Sequence, residues 1–303
     1  MWFVFSIIAL LFWSGSDLFS KIGCADPTDK YSHLKMGMAV GIVMGLHAAY
    51  EIFFGGVEFT LAIAWQYLPI SLLYISSMVI GYLGLRYIEL SISSPICNSS
   101  GAIVAILTIA VFGFSEDIPK VALVGVACVC VGVIALGITE STEDEELRAL
   151  RQSEGNRKYA KSALAIALPV IYCLLDALGT FGDSIVLQSM NEDSANCAYE
   201  LTWLLVAIIC AIYVLGVKKE KLVFKAEVPK YAGAVCETIG QYFYIHALAN
   251  EEYVVFAAPI ISSYCVASMI WSRIFLKEKL SAKHYVSIAI VVIGIIVLGV
   301  LDI

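Results

Sequence analysis

Carboxylates in the middle of long apolar stretches are the residues of this chain whose type and spacing could do chemistry. Four residues at spacings of four, three and four positions share one helix face: Tyr172, Asp176, Gly179 and Asp183. An acid attracts an ammonium group and an aromatic ring binds one by a cation–π contact, so this face suits a cationic solute. For Asp176 the alternative is a hydrogen bond to a neighbouring helix, and for Asp183 a position near the membrane interface.

A matching pair lies in the first apolar stretch, where Asp17 follows Trp13 by one helical turn. Lys21 follows after another turn. The spacing therefore fits a structural ion pair between Asp17 and Lys21 as well as a ligand contact.

A polar stripe crosses the eighth apolar stretch at spacings of four and three residues: Glu237, Gln241 and Tyr244. Such a stripe must face the interior of a helix bundle, where it serves either packing or a ligand. A carboxylate inside a membrane-spanning helix costs about 2.5 kcal/mol or more unless it faces protein or water. We therefore expect the buried acids to border an aqueous cavity or a bound cation.

The elements that must position these residues are membrane-spanning helices. The chain is 60% hydrophobic and only 15% charged, whereas soluble proteins carry about 25% charged residues. A span needs about 20 apolar residues. Ten stretches of about this length follow one another: 1–22, 34–55, 61–85, 92–114, 119–138, 162–187, 196–217, 228–248, 253–276 and 283–301. All should be helical because backbone polar groups cannot stay unpaired in lipid.

The chain also looks duplicated. Trp13 and Asp17 in the first span align with Tyr172 and Asp176 in the sixth. Five spans are an odd number, so two similar halves must cross the membrane in opposite directions, as in many secondary transporters. The predicted fold is an all-α integral membrane protein of ten transmembrane helices in two inverted five-helix repeats. The first repeat covers residues 1–138, a charged cytoplasmic connector 139–161, and the second repeat 162–303.

The charges are segregated between the loops. Every lysine and arginine except Lys120 lies in a gap that follows an odd-numbered span, or at the adjoining span ends. The other gaps are acidic: Glu58, Asp117, Glu192, Asp193, Glu251 and Glu252. The positive-inside rule predicts that the basic face is cytoplasmic and that both termini lie outside the cell membrane.

Several functional classes lack their usual sequence signals. The nine cysteines include no CxxC pair, and no Cys/His cluster has zinc spacing. There is no GxxxxGK[ST] loop, no HExxH and no GxSxG. There is also no basic stripe for nucleic acid. We therefore expect no enzyme activity, no cofactor, no metal site and no nucleic-acid partner.

The ends of spans four and nine carry related patterns, GFSE at 113–116 and FLKEKLS at 275–281. With ten spans in two halves, they resemble the EamA-like family of the drug/metabolite transporter superfamily, whose signature closes these spans before a Gly-bearing last helix. The resemblance covers the whole chain and implies a secondary transporter with a central cavity, without fixing substrate or direction. The sequence departs from the family at Lys277, where Gly is usual. The resemblance also implies termini in the cytoplasm, as in many members of the family, whereas the charge distribution of this chain predicts termini outside.

These observations predict a secondary active transporter of a small polar solute, cationic or amine-bearing, that works by alternating access. Asp176, with Asp17 and Glu237, would hold the solute or a coupling proton. Aromatic rings would cover the solute: Trp13, Tyr172 and Tyr244. The expected partners are this solute, the lipid bilayer and a proton, and the oligomeric state stays open.

Two alternatives remain. An anionic or sugar-type metabolite would favour a lysine or arginine at midspan, where the sequence has none. The alternative from another class is a non-transporting membrane scaffold or a membrane-embedded enzyme. A scaffold needs no acids at midspan, and an enzyme needs a compact cluster of reactive groups.

Overall fold

A computed structural model describes residues 1–26, 28–86, 90–113, 120–141, 163–276 and 280–300, and every regular element in these ranges is a helix. Twelve α-helices follow one another there: α1 (Trp2–Cys24), α2 (Ser32–Tyr50), α3 (Leu61–Gly84), α4 (Leu90–Cys97), α5 (Ser100–Phe112), α6 (Lys120–Ser141), α7 (Ala163–Val186), α8 (Glu192–Ala211), α9 (Phe224–Leu248), α10 (Glu251–Ser262), α11 (Tyr264–Trp271) and α12 (Ala282–Val300). Short π-helical segments extend α2, α8 and α11: Glu51–Gly55, Ile212–Val217 and Ser272–Leu276.

Eight helical stretches in the described part of the chain are long and apolar enough to cross a bilayer. They correspond to the first seven predicted spans and the ninth. The tenth, Ala282–Leu298, is a shorter apolar helix. The eighth, α9, is not among them, although it has 25 residues. It carries several charged side chains: Lys225, Glu227, Lys230 and Glu237. The prediction of an all-helical, multi-pass membrane protein is confirmed at this level.

Two predicted spans are interrupted rather than continuous. Span four consists of α4 and α5 with Asn98 and Ser99 between them, and span nine consists of α10 and α11 with Ser263 between them. Pro95 and Pro259 lie about one turn before these breaks, where a ring without a backbone N–H weakens the helix. Irregular backbone at membrane depth is tolerated where it borders protein or a cavity.

Long helices of the first half pack against helices of the second half. The main pairs are α1 with α9, α2 with α8, α3 with α7, α5 with α10, and α6 with α12. Small residues bring some of these backbones close together. A Cβ added to Gly294 would lie 2.8 Å from the Gly125 carbonyl oxygen, and one added to Gly132 would lie 3.1 Å from the Ser287 carbonyl oxygen. Glycine at such positions is typical of membrane helix pairs.

Contacts near the helix ends group the loops into two faces. At the acidic face, the Ser194 hydroxyl donates to the Glu58 carbonyl (2.9 Å) and the His246 ring lies 3.4 Å from the Asp193 carboxylate. At the basic face, Lys35 bonds Asp29 (3.0 Å), and the buried Lys230 pairs with Glu227 (3.3 Å). Between the faces the outer surface is rich in exposed apolar side chains, as a lipid-facing surface should be.

Part of the sequence patterns lies outside the described residues. This holds for 114–116 and 277–279, which carry most of the two span-end patterns, and for 142–161 of the connector.

Candidate functional site

A central cavity lies between the two halves, with about 890 Å³ of empty space, part of it open to solvent. Its wall comes from α1, α3, α4, α7, α8, α9, α10 and α11, so both interrupted spans border it. Seven of the eight residues predicted to bind a solute line this cavity: Trp13, Asp17, Tyr172, Asp176, Glu237, Gln241 and Tyr244. The structure therefore brings together residues that are far apart in the sequence.

Asp17 is held by the two interrupted spans. The hydroxyl of Ser94, on α4, donates to Asp17 Oδ2 at 2.6 Å, and that of Ser268, on α11, donates to the same oxygen at 2.8 Å. Lys21, the other candidate partner, donates through its ammonium group to the Leu85 carbonyl at 2.9 Å. Asp17 is thus anchored by neutral donors.

Asp176 is bonded in the same way. The hydroxyl of Ser100, the first residue of α5, donates to Asp176 Oδ2 at 2.7 Å. Glu237 is buried in the wall, with the Ser16 hydroxyl as its polar neighbour. Serine hydroxyls can stabilise a carboxylate without cancelling its charge.

No lysine, arginine or histidine is among the described residues that line the cavity. Three carboxylates and neutral hydroxyl, amide, thiol and aromatic groups make up its polar surface. The wall therefore favours a positively charged occupant, provided that the acids are ionised.

Aromatic rings cover the centre of the cavity. The Trp13 ring lies 4.9 Å from the Tyr244 ring and 5.8 Å from the Tyr264 ring, measured between centroids. Gly240 and Gly81 leave room for the rings of Trp13 and Tyr172, because a Cβ at either glycine would overlap the ring. These rings can offer their faces to a cation beside the acids.

Four buried polar groups of the wall find no hydrogen-bond partner within the described chain: Trp13 Nε1, Ser20 Oγ, Tyr82 OH and Gln241 Nε2. Buried polar groups are almost always paired with protein, water or ligand. All four atoms are buried beneath the cavity surface, so a solute would reach them only if the surrounding side chains moved.

The sequence analysis missed the residues of α3 that line the cavity. Tyr74, Met78 and Tyr82 on α3, and Leu85 directly after it, recur at spacings of four, four and three residues. Their spacing alone therefore places them on one helix face. Because none of them is charged, the same pattern is typical of a helix face that packs in the protein core. The serines that anchor the acids had no distinguishing signal in a sequence rich in buried serine.

Asp183 is the exception among the predicted residues. It does not line the cavity, and its buried carboxylate accepts hydrogen bonds from the hydroxyls of Tyr67, Tyr74 and Tyr244. Two of these three tyrosines, Tyr74 and Tyr244, do line the cavity and shield Asp183 from it. Gly179, on the same helix face, leaves no open space either, since a Cβ there would lie 2.9 Å from the Tyr74 ring.

Comparison with known proteins agrees with this architecture. Residues 166–300 match the sequence model of the EamA-like transporter family. A solved crystal structure of another protein has a TM-score of 0.66 to this chain at 12% identity. The similarity covers 99% of this chain and 96% of that chain, and at this identity it shows the fold alone. No curated protein matches the chain.

Proposed function

Because residues 166–300 belong to the EamA-like transporter family, part of the drug/metabolite transporter superfamily, we propose that this multi-pass membrane protein transports a small cationic or amine-bearing solute. The observation that carries the proposal is the charge of the cavity wall. Asp17, Asp176 and Glu237 meet there with serine donors, and no basic side chain lies among the described wall residues.

The magnitudes indicate which groups select the solute. With an effective dielectric constant of about 20, a carboxylate about 4 Å from a cation contributes roughly 4 kcal/mol of attraction. A cation–π contact contributes about 0.5–2 kcal/mol. The acids therefore set the charge of the solute, and the rings of Trp13, Tyr172 and Tyr244 set its shape and position.

We further propose that the chain forms ten spans in two inverted five-helix repeats. The order of packing supports this arrangement. In this arrangement α1, α2, α3 and α6 of the first half correspond to α7, α8, α9 and α12 of the second. Exchanging each helix for its counterpart turns the pair α1–α9 into α7–α3 and leaves α2–α8 and α6–α12 unchanged. All these pairs are found, as expected for two similar halves related by an approximate twofold axis.

Alternating access is the proposed mechanism. The solute would bind between the halves while the cavity faces one side, and a movement of one half against the other would open the opposite side. A proton is the proposed coupling ion. An acid whose surroundings change from wet to dry during the cycle also changes its affinity for a proton.

The alternatives are less well supported by the wall. An anionic or sugar-type metabolite with a phosphate would meet three acidic side chains and, among the described lining residues, no basic group to bind its charge. A scaffold without transport would not need a polar cavity between its halves. A membrane-embedded enzyme would need a compact reactive cluster, and the described residues include no group of three or more His, Cys, Asp or Glu that could hold a metal ion.

The first experiment is a thermal-shift screen of the purified protein with amines, amino acids, sugars and nucleotides. A ligand at about 100 times its dissociation constant stabilises the folded state by about 2.7 kcal/mol. We expect amines to raise the melting temperature of the wild type and to lose this effect in Asp176→Asn, which keeps the side-chain size but removes the charge. Glu58→Gln, in an exposed loop, is the matched control.

The second experiment measures uptake and efflux of the best amine in vesicles under an imposed pH gradient. Transport should follow the gradient in the wild type and in Glu58→Gln. Transport that ignores the gradient and survives Asp176→Asn would contradict the roles of the proton and of this acid. Stabilisation by nucleotides or sugar phosphates instead of amines would favour the anionic alternative.

A further inference from the structure

Asp183 stands at the centre of a buried hydrogen-bond cluster that the proposed binding site does not use. Its Oδ2 accepts from Tyr74 at 2.7 Å and from Tyr244 at 3.1 Å, and its Oδ1 accepts from Tyr67. The Tyr74 and Tyr244 hydroxyls also contact each other, and both lie near the Thr180 hydroxyl, at 3.1 and 3.2 Å. All five side chains are buried.

The cluster lies toward the acidic face. Asp183 is close to the end of α7, Tyr67 is in the second turn of α3, and Tyr244 is close to the end of α9. Each of these helix ends leads into an acidic-face loop. The cavity wall reaches the opposite side at Leu85 and Leu90, which flank a basic-face loop. The cluster therefore closes one face while the wall extends to the other.

The cluster also joins the two halves of the chain. Tyr67 and Tyr74 belong to α3 in the first half, whereas Asp183 and Tyr244 belong to α7 and α9 in the second. A relative movement of the halves at this face must break the bonds between the tyrosines of α3 and Asp183. The Tyr244 ring also lies against the Trp13 ring in the cavity wall, with ring centroids 4.9 Å apart. The same side chain thus touches both the cluster and the binding site.

At the basic face, the position that corresponds to Asp183 carries a thiol rather than a carboxylate. In the register that places Asp17 opposite Asp176, Asp183 falls opposite Cys24, because each follows its partner by seven residues. A buried thiol is a weak hydrogen-bond partner. The acidic and basic ends of the cavity therefore carry different side chains at corresponding positions, even though the halves are similar.

We propose that Asp183 with Tyr67, Tyr74 and Tyr244 forms a gate that closes the cavity at the acidic face and opens when the halves separate there. This inference rests on the proposed transport function. It assigns Asp183 to the gate rather than to the solute. The hydroxyls hold the carboxylate when the gate is shut, and water takes their place when it opens, so a polar seal can break and re-form.

The test uses Cys97, a native cysteine in the cavity wall. A membrane-impermeant maleimide is added to intact cells and to inverted vesicles, and mass spectrometry measures the labelling rate of each cysteine separately. A Glu58→Cys marker in an acidic-face loop shows which preparation exposes that face. Tyr67→Phe removes one hydroxyl from the gate and leaves the lining residues of the cavity unchanged.

From the acidic face, we expect Cys97 to be labelled slowly in the wild type and roughly tenfold faster in Tyr67→Phe. This is the size of change expected on a two-state equilibrium when a carboxylate loses one hydrogen bond. Tyr253→Phe, at the same face but outside the cluster, is the matched control and should label as the wild type does. Equal labelling rates in Tyr67→Phe and the wild type would overturn the proposal.

A second variant tests the gate independently if Tyr67→Phe does not fold. Gly179→Ala places a Cβ 2.9 Å from the Tyr74 ring and should displace its hydroxyl from Asp183. Gly84→Ala, whose Cβ would meet only Leu168 at 3.7 Å, is its control. Of these two variants, only Gly179→Ala should be labelled faster than the wild type at Cys97. An unchanged rate in folded Gly179→Ala would overturn the gate, just as an unchanged rate in Tyr67→Phe would.

The gate and the transport function can fail separately. If amines stabilise Tyr67→Phe as they do the wild type but Cys97 labelling does not change, the gate is wrong and the transport proposal stands. If the labelling changes as expected but no amine binds, the movement at this face is real and the cationic solute is wrong.

Discussion

Asp17 accepts two hydrogen bonds on one carboxylate oxygen, from the hydroxyls of Ser94 and Ser268. Charge-assisted hydrogen bonds to hydroxyls can hold the acid in one orientation while its negative charge remains available. Asp176, with its single bond from Ser100, follows the same pattern in the other half. At the scale of single residues, the site therefore combines fixed geometry with acids that no basic side chain of the described wall neutralises.

Asp17→Asn should weaken amine binding about tenfold, a loss of about 1.4 kcal/mol. The asparagine carbonyl can still accept from the serines, so the change removes charge rather than shape. Titration of the thermal shift with the best amine from the screen measures the dissociation constant. Glu58→Gln should leave this constant unchanged. An unchanged constant in Asp17→Asn would show that Asp17 serves the protein's packing only.

The sequence located the acids but not their neighbours. Tyr172, Asp176 and Gly179 do share a helix face, because helical period alone decides this. The period does not say what packs against the face. The Tyr74 ring occupies the space at Gly179, and only the pairing of α3 with α7 reveals it. The helical period also does not reveal that the rings of Tyr74 and Tyr244 separate Asp183 from the cavity.

At the scale of elements, the sequence predicted where helices lie better than where they break. The apolar length of a span is a one-dimensional signal, and eight of the predicted spans appear as long apolar helices. Pro259 does predict a kink in span nine, and the helix ends one turn later, before Ser263. The full breaks there and at Asn98–Ser99 also depend on how neighbouring helices accommodate Pro259 and Pro95. That accommodation is a property of packing.

The α2–α8 pair offers a test of close helix packing. A Cβ on Gly41 would overlap the Trp203 carbonyl oxygen and lie 2.6 Å from Ala207 Cβ, so backbone would have to move. Gly41→Ala should destabilise the protein by about 1–3 kcal/mol, the usual cost of overpacking. The measurement is the thermal unfolding midpoint in detergent.

Gly137→Ala on α6 is the matched control, since its Cβ would make only ordinary contacts at 3.7–3.9 Å. Replacing a helical glycine by alanine otherwise favours the helix by up to about 1 kcal/mol. The two variants should therefore shift the midpoint in opposite directions. A rise in Gly41→Ala would mean that α2 and α8 can separate at little cost.

At the scale of the whole molecule, loops with the same charge should lie on the same side of the helix bundle. The contacts between loop ends group Glu58 with Ser194 and Asp193 with His246 at one face, and Lys35 with Asp29 at the other. Trp2, at the start of α1, stacks on Tyr253 at the start of α10, with ring centroids 5.5 Å apart. The N-terminus therefore belongs to the acidic face, as the charge distribution of the sequence predicts.

The last prediction concerns orientation in the membrane. The positive-inside rule places the basic face in the cytoplasm, so a cysteine at Glu58 should react with an impermeant maleimide in intact cells. A cysteine at Lys219, in an exposed basic-face loop, should react only in inverted vesicles. The opposite result would place both termini inside and reverse the side to which the proposed gate opens. Labelling of both positions in intact cells would instead show that the chain inserts in both directions, as the proposed inverted repeat would permit.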